Sequence, residues 1–299
     1  MGFPRVSDGS ASVTAGFPDN RPAGGRPPRA PALRTVVYAC THLDYDQIFS
    51  PVAKTPGVDF VLFADRRPRL VRGWQWRPLP AATGGMSQTL ANRYAKLFPE
   101  AVLPEAGCSI YLDANTLVLG DLTPLIEEFL ASGADIGLFP HRERSSLAEE
   151  FEFGRRVGKI PPADVEKGLA QLRRYREAGL PPDPPFTENA IIFRRHGNPA
   201  LGEAMQLWWS ELMHYTQRDQ LSLPFVLHTS RLRVKLWDWN YKFENPYFMR
   251  YLHRRGPLSD LNVFLKNKRH YGRLQHALYG AALFLAHGGR GWRSQHRRG

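Results

Sequence analysis

Short apolar runs alternate along this chain with longer stretches in which apolar residues recur every three or four positions. The run Leu33-Arg34-Thr35-Val36-Val37-Tyr38-Ala39-Cys40, rich in β-branched residues and ending in Thr41-His42-Leu43-Asp44, predicts a first buried strand. A second is expected over Val58–Ala64, closing on Asp65, and a weaker one over 74–77. Met86, Leu90, Tyr94 and Leu97 are spaced for a helix that Pro99 ends. A strand over 109–112 resumes at 117–119 after a polar kink. The stretch 125–130 reads as a short helix, capped by Asp121 or Thr123 with Pro124 in its first turn. A strand over 135–139 follows. The charged stretch 145–179 is helical in period, broken at Pro161 and Pro162, and reads as a surface excursion. Beyond it come a strand over 190–193, a helix over 199–215, a shorter helix over 218–227 and a last strand over 231–237. Strands alternating with helices predict an α/β fold, one Rossmann-like domain over 33–255 with a mixed central sheet flanked by helices.

Charge changes this picture mainly at the ends. The 299 residues carry 40 Lys and Arg against 28 Asp and Glu, a net charge of +12. Residues 250–299 hold eleven of the basic residues and one acid, Asp260, whereas 34–249 hold 25 of each sign. The body is therefore neutral, which weakens a nucleic-acid-binding reading based on total charge. Residues 1–32, rich in Pro and Gly, read as a disordered leader without the apolar run of a secretory signal. The tail 256–299 mixes leucines and phenylalanines with Lys266, Lys268, Arg269 and Arg273. That pattern suits a basic amphipathic helix that rests on an anionic membrane or packs on the domain. No apolar stretch approaches the roughly 20 residues of a membrane span. Cys40 and Cys108, both in apolar contexts, read as buried free thiols of a reducing compartment. The expected location is cytoplasmic, with a peripheral contact at the inner membrane surface.

Candidate chemistry centres on Ser109-Ile110-Tyr111-Leu112-Asp113-Ala114-Asn115-Thr116. An apolar strand delivers Asp113 at its carboxyl end, where open α/β sheets bind ligands. In an extended stretch Asp113 and Asn115 point the same way and could share a divalent cation; alternatively they make the turn between two strands. Arg93 and Lys96, three apart on the helix before that strand, either reach phosphate oxygens or form a solvated basic face. Asp65 is placed to accept hydrogen bonds from a base or ribose. Glu188 and Asn189 precede a buried strand, and Asp219 and Gln220 sit at a helix start. Asp219 is either a helix-terminal partner or a carboxylate that deprotonates or positions an acceptor hydroxyl. Gly-x-Ser-x-Gly, a phosphate-binding loop and Gly-x-Gly-x-x-Gly after the first strand are missing, against hydrolase, kinase and dehydrogenase readings.

Five segments in order resemble the glycosyltransferase-like family catalogued as domain of unknown function 616. They are Val37-Tyr38-Ala39-Cys40-Thr41 with Asp44-Tyr45-Asp46, then Arg93-Tyr94-Ala95-Lys96-Leu97-Phe98-Pro99, Ser109-Ile110-Tyr111-Leu112-Asp113, Glu188-Asn189-Ala190-Ile191-Ile192-Phe193-Arg194-Arg195-His196 and Arg218-Asp219-Gln220-Leu221-Ser222. The resemblance implies a GT-A-like fold, a UDP- or GDP-linked sugar donor, a glycan or lipid-linked glycan acceptor, and Mn²⁺ or Mg²⁺. It casts Asp113, Asn115 and the late His253 as metal ligands, with Asn115 standing where the family motif carries a second acid. Thr41, Asp65, Arg93, Lys96 and Asp113 would face the donor, Asn189 and Gln220 the acceptor, and Asp219 and Glu188 would do the acid–base work. It also implies a part in building cell-surface polysaccharide. A nucleotidyltransferase making nucleotide sugars shares this fold class, but the position after its first strand usually holds a Gly-rich basic loop, and here it holds Thr41-His42-Leu43-Asp44-Tyr45.

Overall fold

The computed structural model describes residues 33–251, apart from 44, 47, 70 and 244, together with the single position 277. The leader, nearly all of the tail and His253 lie outside the described residues. Strands β1 (Thr35–Thr41) and β2 (Val58–Ala64) are followed by β3 (Gln75–Arg77), helix α1 (Gln88–Leu97) and a single turn, α2 (Pro99–Val102). Then come β4 (Cys108–Leu112), β5 (Thr116–Val118), α3 (Thr123–Ala131) and β6 (Ile136–Pro140). Helices α4 (Leu147–Arg156) and α5 (Val165–Glu177) precede β7 (Thr187–Arg195), α6 (Pro199–His214) and α7 (Asp219–Thr229). Two short strands, β8 (Val234–Leu236) and β9 (Phe248–Arg250), close the described chain.

The helices begin where the sequence supplies caps. Ser87 accepts from the backbone N–H of Leu90 at 3.3 Å, and Ser146 from that of Glu149 at 3.2 Å. Asn198 accepts from Ala200 at 3.0 Å with Pro199 next in line. Asp121 takes the N–H and hydroxyl of Thr123, so it starts α3 from one position outside the N-cap.

Seven strands form the main sheet in the order β3-β2-β1-β4-β7-β6-β8. The β1–β2, β1–β4, β2–β3 and β6–β8 pairs are parallel, and β7 runs antiparallel to both neighbours. The fold is thus α/β with a mixed central sheet, as expected. One face, carrying Tyr38, Cys40, Tyr111 and Ile192, is covered by residues of α1, α6 and α7, with Trp208 fully buried. The opposite face, with Val37, Ile110, Leu112 and Phe193, packs on α3 and on Trp237, Tyr241 and Phe248.

Three expectations differ from the structure. The polar residues Thr187, Glu188 and Asn189 lie inside β7 and are buried rather than preceding the strand. Strand β9 has little apolar signal of its own and pairs antiparallel with β5 as a separate ribbon, Arg250 opposite Thr116. At Gly120 a Cβ would stand 2.5 Å from the Pro246 carbonyl oxygen, so glycine lets the two chains approach. The stretch 145–179 is more than a surface excursion. Phe151, Ile160 and Tyr175 pack with Leu221 and Phe225 of α7 into a core of their own.

Candidate active site

From β1 the chain winds outward through β2 and β3, then returns to the other side of β1 as β4. The carboxyl ends of β1 and β4 therefore flank a topological switch point, where crevices for ligands form in such sheets. Period-2 alternation places Tyr111 and Asp113 on the α1-facing side. The Tyr111 hydroxyl donates to Asp113 Oδ1 at 3.0 Å, and Asn92 of α1 donates to the Cys40 carbonyl at 2.5 Å and to the Tyr111 oxygen at 3.2 Å. Helix α1 is thereby tied to the ends of both strands.

Asp219, the first residue of α7, closes this network from 123 positions downstream of Lys96, whose Nζ donates to its Oδ2 at 2.7 Å. Arg93 Nη2 lies 3.2 Å from Asp219 Oδ1, and Lys96 Nζ lies 3.7 Å from Asp113 Oδ1. Two cations thus meet two carboxylates. Burial opposes the Asp219 charge, but Arg93, Lys96 and Arg218 together outweigh it and hold the carboxyl well below the usual range. Burial lowers the Lys96 pKa despite Asp219 and Asp113. Burial also works against the Arg93 charge, but Asp219 and Asp113 overcome it and raise the pKa. The Tyr111 phenol is pushed up by burial and by Asp113, so it remains a donor. The Lys96 side chain is 1% exposed, that of Asp113 31%.

A second polar group lies around β7 and the α7 start. Glu188 is paired with Lys242, stands 3.5 Å from His141 Nε2, and receives the Asn240 amide at 3.5 Å. Burial, then Lys242, Arg144, Arg218 and Arg250, bring the His141 pKa down to about 3, so the ring is neutral. Fully buried Glu150 of α4 accepts from Arg144 Nε at 2.5 Å and from Arg218 Nε at 2.7 Å, and Arg218 also donates to Gln220.

The structure therefore brings Arg93, Lys96, Asp113 and Asp219 into one network, and gives Glu188 a separate set of partners. Thr41 ends β1 with its hydroxyl on the His42 carbonyl at 3.2 Å. Asp65, beyond β2, accepts from the Leu43 N–H and pairs with Arg66, both at 2.9 Å. Asn189 accepts from the Thr187 hydroxyl at 3.3 Å, and its amide nitrogen is buried without a partner. Sequence reasoning missed His141, Glu150, Tyr241 and Lys242, which carry no local signal. Tyr111 was legible, since it stands two residues before Asp113 on an alternating strand.

Asp113 and Asn115 lie on a turn, with the Thr116 N–H bonded to the Asp113 carbonyl at 2.8 Å, and do not project side by side from an extended stretch. Asn115 donates its side-chain amide N–H to the Tyr251 carbonyl and accepts the Tyr251 N–H on its backbone carbonyl, each at 2.8 Å, while its Oδ1 is buried without a partner. Mg²⁺ and similar hard cations bind through one or two carboxylates, with water and substrate phosphates in the other positions; of the three expected ligands Asp113 offers an open carboxylate, the Asn115 Oδ1 is buried, and His253 lies outside the described residues. Among the described residues no group of three His, Cys, Asp or Glu side chains could hold a metal ion.

Comparisons with known proteins bear on the same segments. The probable hexosyltransferase MUCI70 of Arabidopsis thaliana is 28% identical over 141 residues, 45% of this chain and 24% of the relative. The chain thus spans about a quarter of that protein's length. Among solved structures, the bifunctional glycosyltransferase WbbM in its apo form aligns with 71% of this chain and 39% of its own, at TM-score 0.41 and 15% identity. Mouse xyloside xylosyltransferase 1, also apo, aligns with 69% of this chain and 85% of its own, at 0.39 and 12%. Likenesses that low carry no argument about mechanism. The profile of the TOD1/MUCI70 glycosyltransferase-like domain matches residues 86–246, over half the chain, from just before α1 to just before β9. This chain belongs to the family of the TOD1/MUCI70 glycosyltransferase-like domain.

Proposed function

We propose that this protein transfers a sugar from a UDP- or GDP-linked donor to a hydroxyl of a glycan or lipid-linked glycan, in the cleft at the carboxyl ends of β1 and β4. The observation that carries the reading is Asp113: a carboxylate 31% exposed at the switch point, held by the Tyr111 hydroxyl at 3.0 Å and backed by the buried Lys96 ammonium at 3.7 Å. In the transfer, the acceptor oxygen bonds to the anomeric carbon. The bond from that carbon to the diphosphate breaks with its electron pair, and the acceptor proton passes to a base or to solvent.

Asp113 is the carboxylate of this network that a substrate can reach, so it orients the reacting hydroxyl or sugar. The side chains of Asp219 and Glu188 are 4% and 5% exposed and already paired with cations. They act as positioning residues: Asp219 fixes Lys96 and Arg93, and Glu188 fixes Lys242. Thr41 and Asp65, at neighbouring strand ends, suit the nucleoside, and the unpartnered Asn189 amide suits an acceptor hydroxyl. Gln220 holds Arg218 at the edge of the same cleft.

The test combines calorimetry against a panel of nucleotide sugars with a transfer assay. Asp113→Asn keeps the shape and the Tyr111 hydrogen bond, and transfer should fall by about 10²–10⁴-fold. Transfer equal to the unsubstituted protein, or a folded protein that binds no donor, would sink the proposal.

A further inference from the structure

The Asp113 network is electrically closed. Arg93 and Lys96 are matched by Asp219 and Asp113: Asp219 lies 3.2 Å from Arg93 and 2.7 Å from Lys96, and Asp113 3.7 Å from Lys96. A donor diphosphate brings about two negative charges, and this network has no spare positive charge to meet them. Beside it, Arg144 and Arg218 share Glu150, and Lys242 is paired with Glu188 and Glu143. Two further cations stand among these groups, Lys159 and Arg250, and neither has an ion-pair partner among the described residues. Both still reach solvent.

Strand pairing places Arg250, and packing of the chain after α4 places Lys159, near the Asp113 network. Arg250 is opposite Thr116 in the β5–β9 ribbon, and Thr116 closes the turn that begins at Asp113. Lys159 follows α4, with its N–H on the Gly154 carbonyl at 2.8 Å and the next residue, Ile160, in one core with Leu221 of α7; the charges around it include Arg218, Arg250, Glu150 and Asp219. Two buried hydroxyls nearby lack any hydrogen-bond partner: Thr116 Oγ1, and Tyr241, whose surrounding charges include Glu188, Arg250 and Asp113. Buried donors of this kind are rare in folded proteins and call for a partner. Unpaired cations beside unpartnered hydroxyls are what phosphate oxygens require.

We infer that Lys159 and Arg250, with the Tyr241 and Thr116 hydroxyls, form the subsite for the donor's diphosphate, and that these fixed cations carry the leaving-group charge in place of a divalent metal. This rests on the glycosyl-transfer reading of the cleft. Departure of the diphosphate is then stabilised by preorganised donors, and nucleotide binding is independent of divalent cations. Arg93 and Lys96 instead serve Asp113 and Asp219.

The experiment is calorimetry of the full chain with inorganic pyrophosphate, UDP and GDP, in EDTA and in Mn²⁺. The unsubstituted protein is compared with Lys159→Gln, Arg250→Gln and the double variant, with thermal unfolding as the check on folding. The expected result is binding in EDTA that Mn²⁺ changes less than twofold, weakened at least tenfold by each substitution. Because both cations reach solvent, the variants should melt with the parent. Pyrophosphate bound and lost in the variants, with neither nucleotide bound, keeps the anion subsite and removes the nucleotide-sugar reading. Nucleotide binding that needs Mn²⁺, that is equal in the variants, or that is absent for all three probes overturns the inference.

Discussion

Replacing Asp219 with asparagine separates a positioning role from a proton-transfer role. The substitution keeps the shape of the side chain and removes the charge that faces Lys96 at 2.7 Å and Arg93 at 3.2 Å. Lys96 is 1% exposed and retains only Asp113, at 3.7 Å. Removing one partner of a buried pair costs about 3–5 kcal/mol, because the remaining charge has lost both water and counter-ion. In a domain of this size that corresponds to a fall in Tm of roughly 6–20 °C. Adding Lys96→Met removes the stranded ammonium and should recover about 2 kcal/mol, measured as the coupling in a double-mutant cycle by urea unfolding. The pH dependence has a definite sign. Since the native pKa of Asp219 is depressed, its stabilisation is present above the unfolded value near 3.9 and is lost as pH falls below it. The acid limb of the stability curve should therefore flatten in Asp219→Asn. A variant that melts within 1 °C of the parent but loses transfer, with the acid limb of its pH–rate profile removed, would refute the counter-ion argument and make Asp219 the base.

Glu150→Gln leaves Arg144 and Arg218 without their shared, fully buried carboxylate. It should cost about 3–5 kcal/mol and raise amide exchange in α4 and at the α7 start before the rest of the sheet. Burial among its neighbours, then Arg218 and Arg250, lower the Lys159 pKa to about 8, against the opposing pull of Glu150 and Asp219. A bound anion raises that pKa, so the ratio of pyrophosphate affinities of the parent and Lys159→Gln, in which the titration of pyrophosphate itself cancels, should be flat below pH 8 and fall above it. Deleting 256–299 should abolish cosedimentation with anionic liposomes and leave transfer to a soluble acceptor unchanged; equal pelleting of both proteins would remove membrane contact from the account.

The fold was legible wherever a short apolar run or a helical period was bounded by a cap or a proline. Val58–Ala64 is found with the bounds expected, and α1, α6 and α7 fall within two residues of theirs. What escaped were elements whose stability lies in their partners. Strand β9 exists because β5 lies beside it, and the start of β7 is polar because its side chains are neutralised by residues from the β6 end and from beyond β8. The site followed the same rule. Asp113 and Lys96 could be singled out from local pattern, but a carboxylate's role depends on which cation reaches it, and the cation of Asp219 lies 123 residues away. No spacing rule spans that distance.

The net charge of +12 and the charge of the cleft are independent quantities. On the described surface some exposed cations are cancelled one by one, Arg34 by Asp59, Arg66 by Asp65, Arg155 by Glu152, Lys167 by Asp164 and Arg233 by Asp135, while others such as Lys54, Arg67, Arg173, Arg176 and Arg231 are scattered along the chain. A nucleic-acid groove needs a continuous row of unpaired cations to displace counter-ions along a phosphate backbone, whereas 34–249 carry 25 residues of each sign. A local imbalance of two charges beside Asp113 suits a small dianion instead. It also predicts how salt acts. Lys159 and Arg250 reach solvent but stand near the buried pairs of Glu150 and Glu188, and so are screened less than a row of cations on an open face. Pyrophosphate affinity should fall by less than tenfold between 50 and 500 mM salt, whereas liposome binding through 256–299 should be lost over the same range. A pyrophosphate affinity as salt-sensitive as the liposome binding would mean that the two cations act as an open surface and not as a built pocket.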